Sequence, residues 1–409
     1  MAVLNAITSS FPRSCFSCLN GETRRSVPFE KFNRIVGRTP EVNSMVMKKI
    51  LLISNKVMHY RVPVYNYFSR RFEECGWDFV VRSNEVQKEN AHRLVFDFAE
   101  IEFRFFKYKA EIEMINPSVV IVFLHLKDLI IWPLVLWLKL KKIPVVFWTK
   151  GANLDDPDNK LRYLLFNCLH SMSDGIILYS KHEIKYIGEK NRHKVSIANN
   201  TLSFENFPEI TESKEQIKKE LGIPFEKVVL SVGRMDFAGR RKKIHHLIEI
   251  FNDIDIEGAG LAIVGSGMSD DLLKRMNRSN TVYLGAIHDP DDIQISRIFK
   301  MADLFSIPGH VGLGLNQAFY WGLPVITEDG LQPPEIHYLI NGRNGFIVPN
   351  NDLTELKKKI LYLLENDELR QEFSRNARSD ILENGSIGNM FMGFKRCVDS
   401  LPQFKNPFQ

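Results

Sequence analysis

SIPGHVGLGLNQAFYWGLPVITEDG, residues Ser306–Gly330, is the stretch on which the reading of this chain turns. An apolar strand ends at Pro308, and a loop bearing Gly309, Gly312 and Gly314 follows it. The pattern then predicts a short helix from about Leu315 to Trp321, stopped by Gly322, with Pro324 leading into the next apolar strand. Strand, glycine turn and helix in that order form the repeating unit of a parallel sheet. The turn also suits an anion, because glycines let backbone amides approach closely and a helix N-terminus carries partial positive charge. A diphosphate is the anion that best matches it, and a connection that holds no ligand is the plain alternative.

The same unit recurs outward from this stretch. KVVLSVG (Lys227–Gly233), GLAIVG (Gly260–Gly265), TVYLG (Thr281–Gly285), LFSIPG (Leu304–Gly309) and LPVITED (Leu323–Asp329) form one series of apolar strands. An earlier series runs KKILLISN (Lys48–Asn55), WDFVVRS (Trp77–Ser83), PSVVIVFL (Pro117–Leu124), IPVVFWT (Ile143–Thr149), DGIILYS (Asp174–Ser180) and KVSIANN (Lys194–Asn200). Helical patterns such as VPVYNYFSRRFEECG (Val62–Gly76) lie between them. Strand and helix alternate, so each series predicts a parallel, doubly wound α/β sheet. The polar segment Ser203–Glu226, with Pro208 and Pro224, separates the two. Two tandem Rossmann-like domains follow, at residues 47–205 and 206–385, with the ligand-binding strand ends facing an interdomain cleft. Residues 386–409 carry helical spacing (SIGNMFMGFKRCVDSLPQF) and either cross back over the first domain or finish the second.

Composition agrees with two ordinary cores. The chain has 409 residues, 44% hydrophobic and 25% charged, which excludes a wholly disordered or collagen-like protein. A net charge of +5 fits an anionic ligand or loose contact with a membrane surface and is too small to indicate nucleic acid. The five cysteines are odd in number and widely spaced, and Cys15 and Cys18 form a lone CxxC pair. Neither a disulfide framework nor a zinc site is expected, and the default compartment is the reducing cytoplasm. No apolar run reaches the roughly 18–20 residues that span a bilayer; the longest, Leu129–Leu138, contains Pro133. Its surroundings, Leu126–Pro144, add Lys127, Lys139, Lys141 and Lys142. That segment reads either as a basic amphipathic helix on the inner face of a membrane or as a core helix with a basic end. Residues 1–46 show no sustained period and no apolar signal core, and read as a disordered or non-native extension. The clusters Asp155–Asp158 and Asp289–Asp292 each hold a proline and read as turns or helix starts, so no metal is assigned.

Two further groups of residues carry chemistry. In LSVGRMDFAGRRKKIHHLIEIF (Leu230–Phe251), Arg234 stands at the carboxyl end of a strand, and Arg240, Arg241, Lys242 and Lys243 crowd the loop before an amphipathic helix. A guanidinium there can grip a phosphate through two hydrogen bonds, although basic loops are ordinarily just solvated. In the first half, Arg61 follows the first strand, His125 ends VFLHLKD and Lys150 sits in FWTKGANL. Each is placed to meet a sugar hydroxyl or an anionic group, and each has an ordinary structural alternative.

From Lys48 to about Glu383 the chain resembles glycosyltransferase family 4, a group of retaining enzymes with the GT-B fold of two Rossmann-like domains. VGRMDFAGRRKKIHHLIEIF is similar to the family's GR…K(G)xxxLIxAF stretch, with Lys243 where glycine is usual. LAIVGSG, VYLGAIHDPDDI and MADLFSIPG are similar to its successive strand ends, EIHYLINGRNGFIV to its E…xxGxNGxLV stretch and GLPVI to its GxPV. The resemblance implies that Arg234 and Lys242 bind the donor diphosphate and carry catalysis. It also implies that Gly309, Gly312, Leu313, Gly314 and Gln317 form the rest of the donor site. Two glutamates usual in the family, eight residues apart, are replaced here by Gly309 and Gln317. Gln317 keeps an acceptor oxygen for ribose hydroxyls, whereas Gly309 offers only backbone. Arg61, His125 and Lys150 fall on the acceptor side. The expected reaction moves a sugar from a nucleotide-sugar to a glycan or lipid-linked acceptor, with retention, in assembly of a surface polysaccharide. The nucleotide-sugar is a substrate, and no cofactor or metal is expected. A nucleotide-sugar epimerase of the same fold, or a non-catalytic binder that has lost both glutamates, are the alternatives.

Overall fold

Each apolar series becomes one parallel sheet in the computed structural model, which describes residues 47–404 except 88–89, 91, 155, 157–158, 236–240, 254–257, 277–278, 288 and 290. The readings made for residues 1–46, Cys15, Cys18, Arg240, Asp155 and Asp158 lie outside the described residues. The first half runs β1 (Lys48–Ser54), α1 (Val62–Glu73), β2 (Trp77–Ser83), β3 (Asp97–Glu100), α2 (Phe105–Ile115), β4 (Val119–Phe123), α3 (Ile131–Leu140), β5 (Val145–Thr149), α4 (Lys160–Met172), β6 (Gly175–Leu178) and β7 (Val195–Ile197). Among the described residues these strands form a seven-stranded sheet in the order β3-β2-β1-β4-β5-β6-β7. Ile50, Leu51 and Leu52 of the central β1 are fully buried. Helices covering both faces explain why its apolar run is continuous rather than alternating.

The second half runs α5 (Lys214–Glu220), β8 (Lys227–Val232), α6 (Ile244–Asn252), β9 (Ala259–Val264), α7 (Asp270–Arg275), β10 (Thr281–Tyr283), α8 (Ile293–Met301), β11 (Leu304–Ser306), α9 (Leu313–Tyr320), β12 (Val325–Glu328), β13 (Gly345–Val348), α10 (Leu353–Glu365), α11 (Asp367–Asn384) and α12 (Ile387–Asp399). Among the described residues its sheet has six strands in the order β10-β9-β8-β11-β12-β13. Two strands escape the sequence pattern. β3 is a four-residue edge strand with an exposed charge at each end, and β13 begins directly after the NG turn at Asn344. Short edge strands carry too little apolar periodicity to announce themselves.

Of the two readings of the last segment, the first holds: α12 packs on the first sheet. Phe391 and Phe394 join the core of Phe68, Phe72 and Trp148, with Phe394 and Phe68 ring centroids 4.8 Å apart. Gly393 makes the approach possible, since a Cβ there would lie 2.3 Å from the Ile197 carbonyl oxygen. The Ser196 hydroxyl donates to the Gly393 carbonyl at 2.7 Å, so the helix sits against β7. Helix propensity alone would favour alanine at position 393 by about 1 kcal/mol. We expect Gly393→Ala to destabilise by about 1–2 kcal/mol instead, because the overpacked contact outweighs propensity; urea unfolding reads the sign.

The Leu126–Pro144 segment resolves as α3, which buries Ile131, Leu134, Val135 and Leu138 and exposes Leu136 and Leu140. No helix among the described residues is long and apolar enough to cross a membrane.

Candidate functional site

Strand order brings the basic loop and the glycine loop together. β8 pairs with β11, Leu304 opposite Val229, so Arg234 after β8 and the Gly309–Gly314 turn after β11 leave the sheet side by side. The two loops are then tied by backbone: the Gly309 amide donates to the Lys242 carbonyl at 3.1 Å and the His310 amide to the Arg241 carbonyl at 2.9 Å. A Cβ at Gly309 would lie 1.7 Å from the Arg241 carbonyl oxygen. Gly309 is therefore a packing glycine. Its carbonyl already accepts from Thr327 Oγ1 at 3.2 Å and Gln332 Nε2 at 2.8 Å, and it is not among the residues lining the cavity described next.

That cavity, about 530 Å³, opens at the carboxyl edges of both sheets. From the second half it is lined by Arg234, Lys242, Gly312, Leu313, Gly314 and Gln317, and from the first half by Arg61 and Lys150. His125 lies instead in an adjoining cavity of about 760 Å³. Gly312 has φ +60° and ψ −157°, a conformation that side chains rarely adopt, with open space on its Cβ side. It begins α9 two residues earlier than the pattern predicts. Leu313 and Gly314 therefore occupy the first turn, where amides have no intrahelical acceptor.

The cations differ in how far they are committed. Arg234 is exposed and makes no hydrogen bond or ion pair among the described residues. Lys242 lays its stem over Gly233, where a Cβ would meet its Cε at 2.4 Å, and its Nζ donates to the His310 carbonyl at 3.3 Å. Burial, and then the Arg234 charge, push the Lys242 amine down to about 8, while Glu335 pulls the other way. Two cations with few local counter-charges form a site that gains on receiving an anion.

Arg61 is buried and already engaged. Its Nη2 donates to Asn200 Oδ1 at 2.6 Å, and its guanidinium carbon lies 4.6 Å from the Trp148 ring centroid. Asn200 Nδ2 in turn donates to Glu335 on the second half. The trio bridges the two sheets, so Arg61 holds the cavity's shape as well as lining it. Lys150, half-buried, sits 5.9 Å from the Tyr179 ring centroid.

Sequence reasoning missed Glu335 and Asp292, which also line the cavity. Glu335 stands in the EIHYLI stretch just after Pro333 and Pro334, and its signal was an acidic residue following a strand end. Asp292 belongs to the cluster read as a helix start; burial lifts its carboxyl, with His92 and His59 acting against the shift.

Lys243 has a different task. It adopts φ +53°, which explains why glycine suits the position, and its Nζ donates at 2.5 Å to the buried Glu328 carboxylate. His246 Nδ1 pairs with the other oxygen at 2.5 Å and the Asn351 amide donates at 2.9 Å. Burial pushes the Glu328 carboxyl up, but these bonds outweigh it and hold it below its ordinary value. Lys243→Gly relieves about 1 kcal/mol of backbone strain and unpairs a buried charge worth more than that. We expect a net loss of about 1–2 kcal/mol, read by urea unfolding at pH 7. Because the folded carboxyl titrates below the unfolded one, the contribution is present above the unfolded value near 4.5 and fades as pH falls through the folded one.

Comparison with known proteins meets this geometry. Residues 213–380 match the profile of Glycosyl transferases group 1. An uncharacterized glycosyltransferase of Methanocaldococcus jannaschii is 25% identical over 262 residues, 59% of this chain and 64% of that protein. A capsular polysaccharide biosynthesis glycosyltransferase of Staphylococcus aureus is 24% identical over 263 residues, 58% of this chain and 65% of that protein. The match thus spans just under two thirds of these relatives' own lengths. Among solved structures, Anabaena HepE in complex with UDP has a TM-score of 0.70 at 14% identity, covering 87% of this chain and 100% of that one. Sucrose-phosphate synthase from Thermosynechococcus elongatus has a TM-score of 0.67 at 15% identity, covering 87% and 99%. The two parallel sheets are those of GT-B structures, and the stretch that matches the Glycosyl transferases group 1 profile carries Arg234, Lys242 and the α9 turn.

Proposed function

We propose that the chain is a retaining, metal-independent glycosyltransferase of family 4 type, moving a hexose-type sugar from a nucleotide-sugar to a glycan or lipid-linked acceptor. Its pathway is assembly of a surface polysaccharide, and it works in the cytoplasm against the inner face of the membrane. One observation carries the reading: an uncommitted Arg234, a Lys242 with a depressed amine and the first-turn amides of α9 converge on one cavity. In this scheme the donor diphosphate meets Arg234, Lys242 and the amides at Gly312–Gly314. Gln317 hydrogen-bonds the ribose, and Arg61 and Lys150 face the acceptor. As the bond from the anomeric carbon to the diphosphate oxygen breaks, negative charge grows on that oxygen. Fixed cations and amides that need no reorganisation stabilise it. Closure of the two halves keeps water from intercepting the sugar.

A thermal-shift screen of nucleotide-sugars tests the binding step, since a ligand that binds only the native state raises the melting temperature. At 100 times Kd the gain is about 2.7 kcal/mol, and one base-and-sugar combination is expected to stand out. Product analysis follows with that donor, alone and with acceptors. A new glycoside only with acceptor supports the reading, isomerised donor without acceptor points to an epimerase, and binding without turnover points to a non-catalytic relative.

A further inference from the structure

The two sheet edges carry their cations differently. In the second half Arg234, Lys242 and the first-turn amides of α9 gather on one cavity, as a diphosphate requires. In the first half, lysines on neighbouring strand ends line the adjoining cavity of about 760 Å³. Strand register places them. β4 pairs with β5, Phe123 opposite Trp148, so His125 and Lys150 leave the sheet side by side, and Lys127 follows in the turn before α3. Lys150 lines both cavities, whereas His125 and Lys127 line only the larger one. Lys127 and Lys150 make no hydrogen bond or ion pair among the described residues. Asp156, the one carboxylate among the described residues lining the larger cavity, is already paired with Arg162 at 3.2 Å. Lysines without counter-charges in a cleft raise the local concentration of anions. Phe123 and Tyr179, which line both cavities, put aromatic faces at the junction, the kind of surface on which the C–H face of a sugar ring packs.

We infer that the acceptor is an acidic glycan whose singly charged groups, uronate carboxylates or phosphodiesters, lie one at Lys150 and the next at Lys127. The reacting hydroxyl then stands where the two cavities meet. An ammonium is a compact point charge, so two of them on neighbouring strand ends match single charges spaced along a chain. A dianionic group is better served by a guanidinium fork such as that of Arg234. The glycan's role as acceptor rests on the proposed transfer reaction, whereas its binding is measured without a donor.

Tetrasaccharides of galacturonate, mannuronate and hyaluronan, and a glycerol-phosphate tetramer, are titrated calorimetrically into the full chain at low ionic strength. One of these probes is expected to bind about tenfold tighter than its neutral counterpart, the methyl ester of each uronate or maltotetraose for the phosphodiester. Whether a uronate or the phosphodiester binds tightest identifies the acid. Lys127→Gln should weaken that probe about fivefold, and Lys127→Arg should restore it. Lys127 is exposed and lies outside the donor cavity, so its nucleotide-sugar thermal shift should stay in place. Arg234→Ala should leave the affinity for the acidic probe unchanged. Equal binding of charged and neutral probes, binding of none of them, or full affinity in Lys127→Gln overturns the inference. So does loss of the acidic probe in Arg234→Ala, which would put the acid in the donor cavity. Equal binding of a tetraglutamate peptide overturns it as well, since charge alone would then account for the attraction. Failure of every nucleotide-sugar to shift the native chain, with acidic-glycan binding intact, strikes the transferase reading instead, so the two failures are distinguishable.

Discussion

Arg234→Ala should lower kcat/KM for the donor by about a thousandfold, the largest loss expected from any single substitution in the second half. The reason is geometric. Arg234 stands at the carboxyl end of β8, lines the cavity, and makes no ion pair among the described residues that would need replacing. Each charge-assisted hydrogen bond it makes to a departing diphosphate contributes about 1.5–3 kcal/mol, and two such bonds correspond to roughly 10²–10⁴ in rate. Exposure of the side chain means that its removal leaves no hole, so urea unfolding should change by no more than about 0.5 kcal/mol. Arg234→Lys should restore only part of the activity, because an ammonium cannot reproduce the bidentate fork. Steady-state kinetics together with an unfolding curve decide the matter. Unchanged turnover with an intact fold would remove the electrostatic basis of the proposed reaction.

Lys242→Met should separate activity from stability in opposite directions. Burial and the Arg234 charge hold the Lys242 amine at about 8, well below its ordinary 10.5. Between those two values the unfolded chain binds the proton that the folded chain has released. Stability of the native protein therefore rises with pH across that window, and the burden of a buried charge is present in full below pH 8. Methionine keeps the stem over Gly233 and removes the charge. The variant should be more stable than the native protein by about 2 kcal/mol at pH 7, and the difference should shrink towards pH 10. Donor kcat/KM should meanwhile fall by roughly 10²–10³, the loss seen when one preorganised donor is removed from a site of developing negative charge. In the native enzyme kcat/KM should decline above pH 8 as the free enzyme loses the proton. A flat profile up to pH 10, or a destabilised methionine variant, would show that Lys242 is structural rather than poised for an anion. Sites that hold like charges close together are commonly stabilised by neutralisation, which is the physical basis of the trade.

The fate of individual residues shows where local reasoning succeeds. Lys243 was legible as a departure from glycine, but its partner Glu328 lies 85 residues away and appears only when β12 is laid beside β11. Gly309 was legible as a backbone position, yet its amide serves the Lys242 carbonyl. His125 ends β4 as expected, but the next cavity receives it. Arg61 reached the site and also took on a bridge through Asn200, 139 residues distant, to Glu335.

By itself the sequence determined the alternation of strand and helix, the restart of the apolar strand series at Lys227, and the glycine turn that begins α9. These are short-range properties, set by side-chain period, turn conformation and helix-terminus charge, and each is readable within about fifteen residues. Tertiary structure alone decided that β8 lies between β9 and β11, that α12 returns to the first sheet, and that Arg61, Asn200 and Glu335 join across the halves. It also decided that a second cavity adjoins the first at Lys150. Such juxtapositions depend on strand order and on which faces find cover, and many orders are compatible with one local pattern until the cores pack.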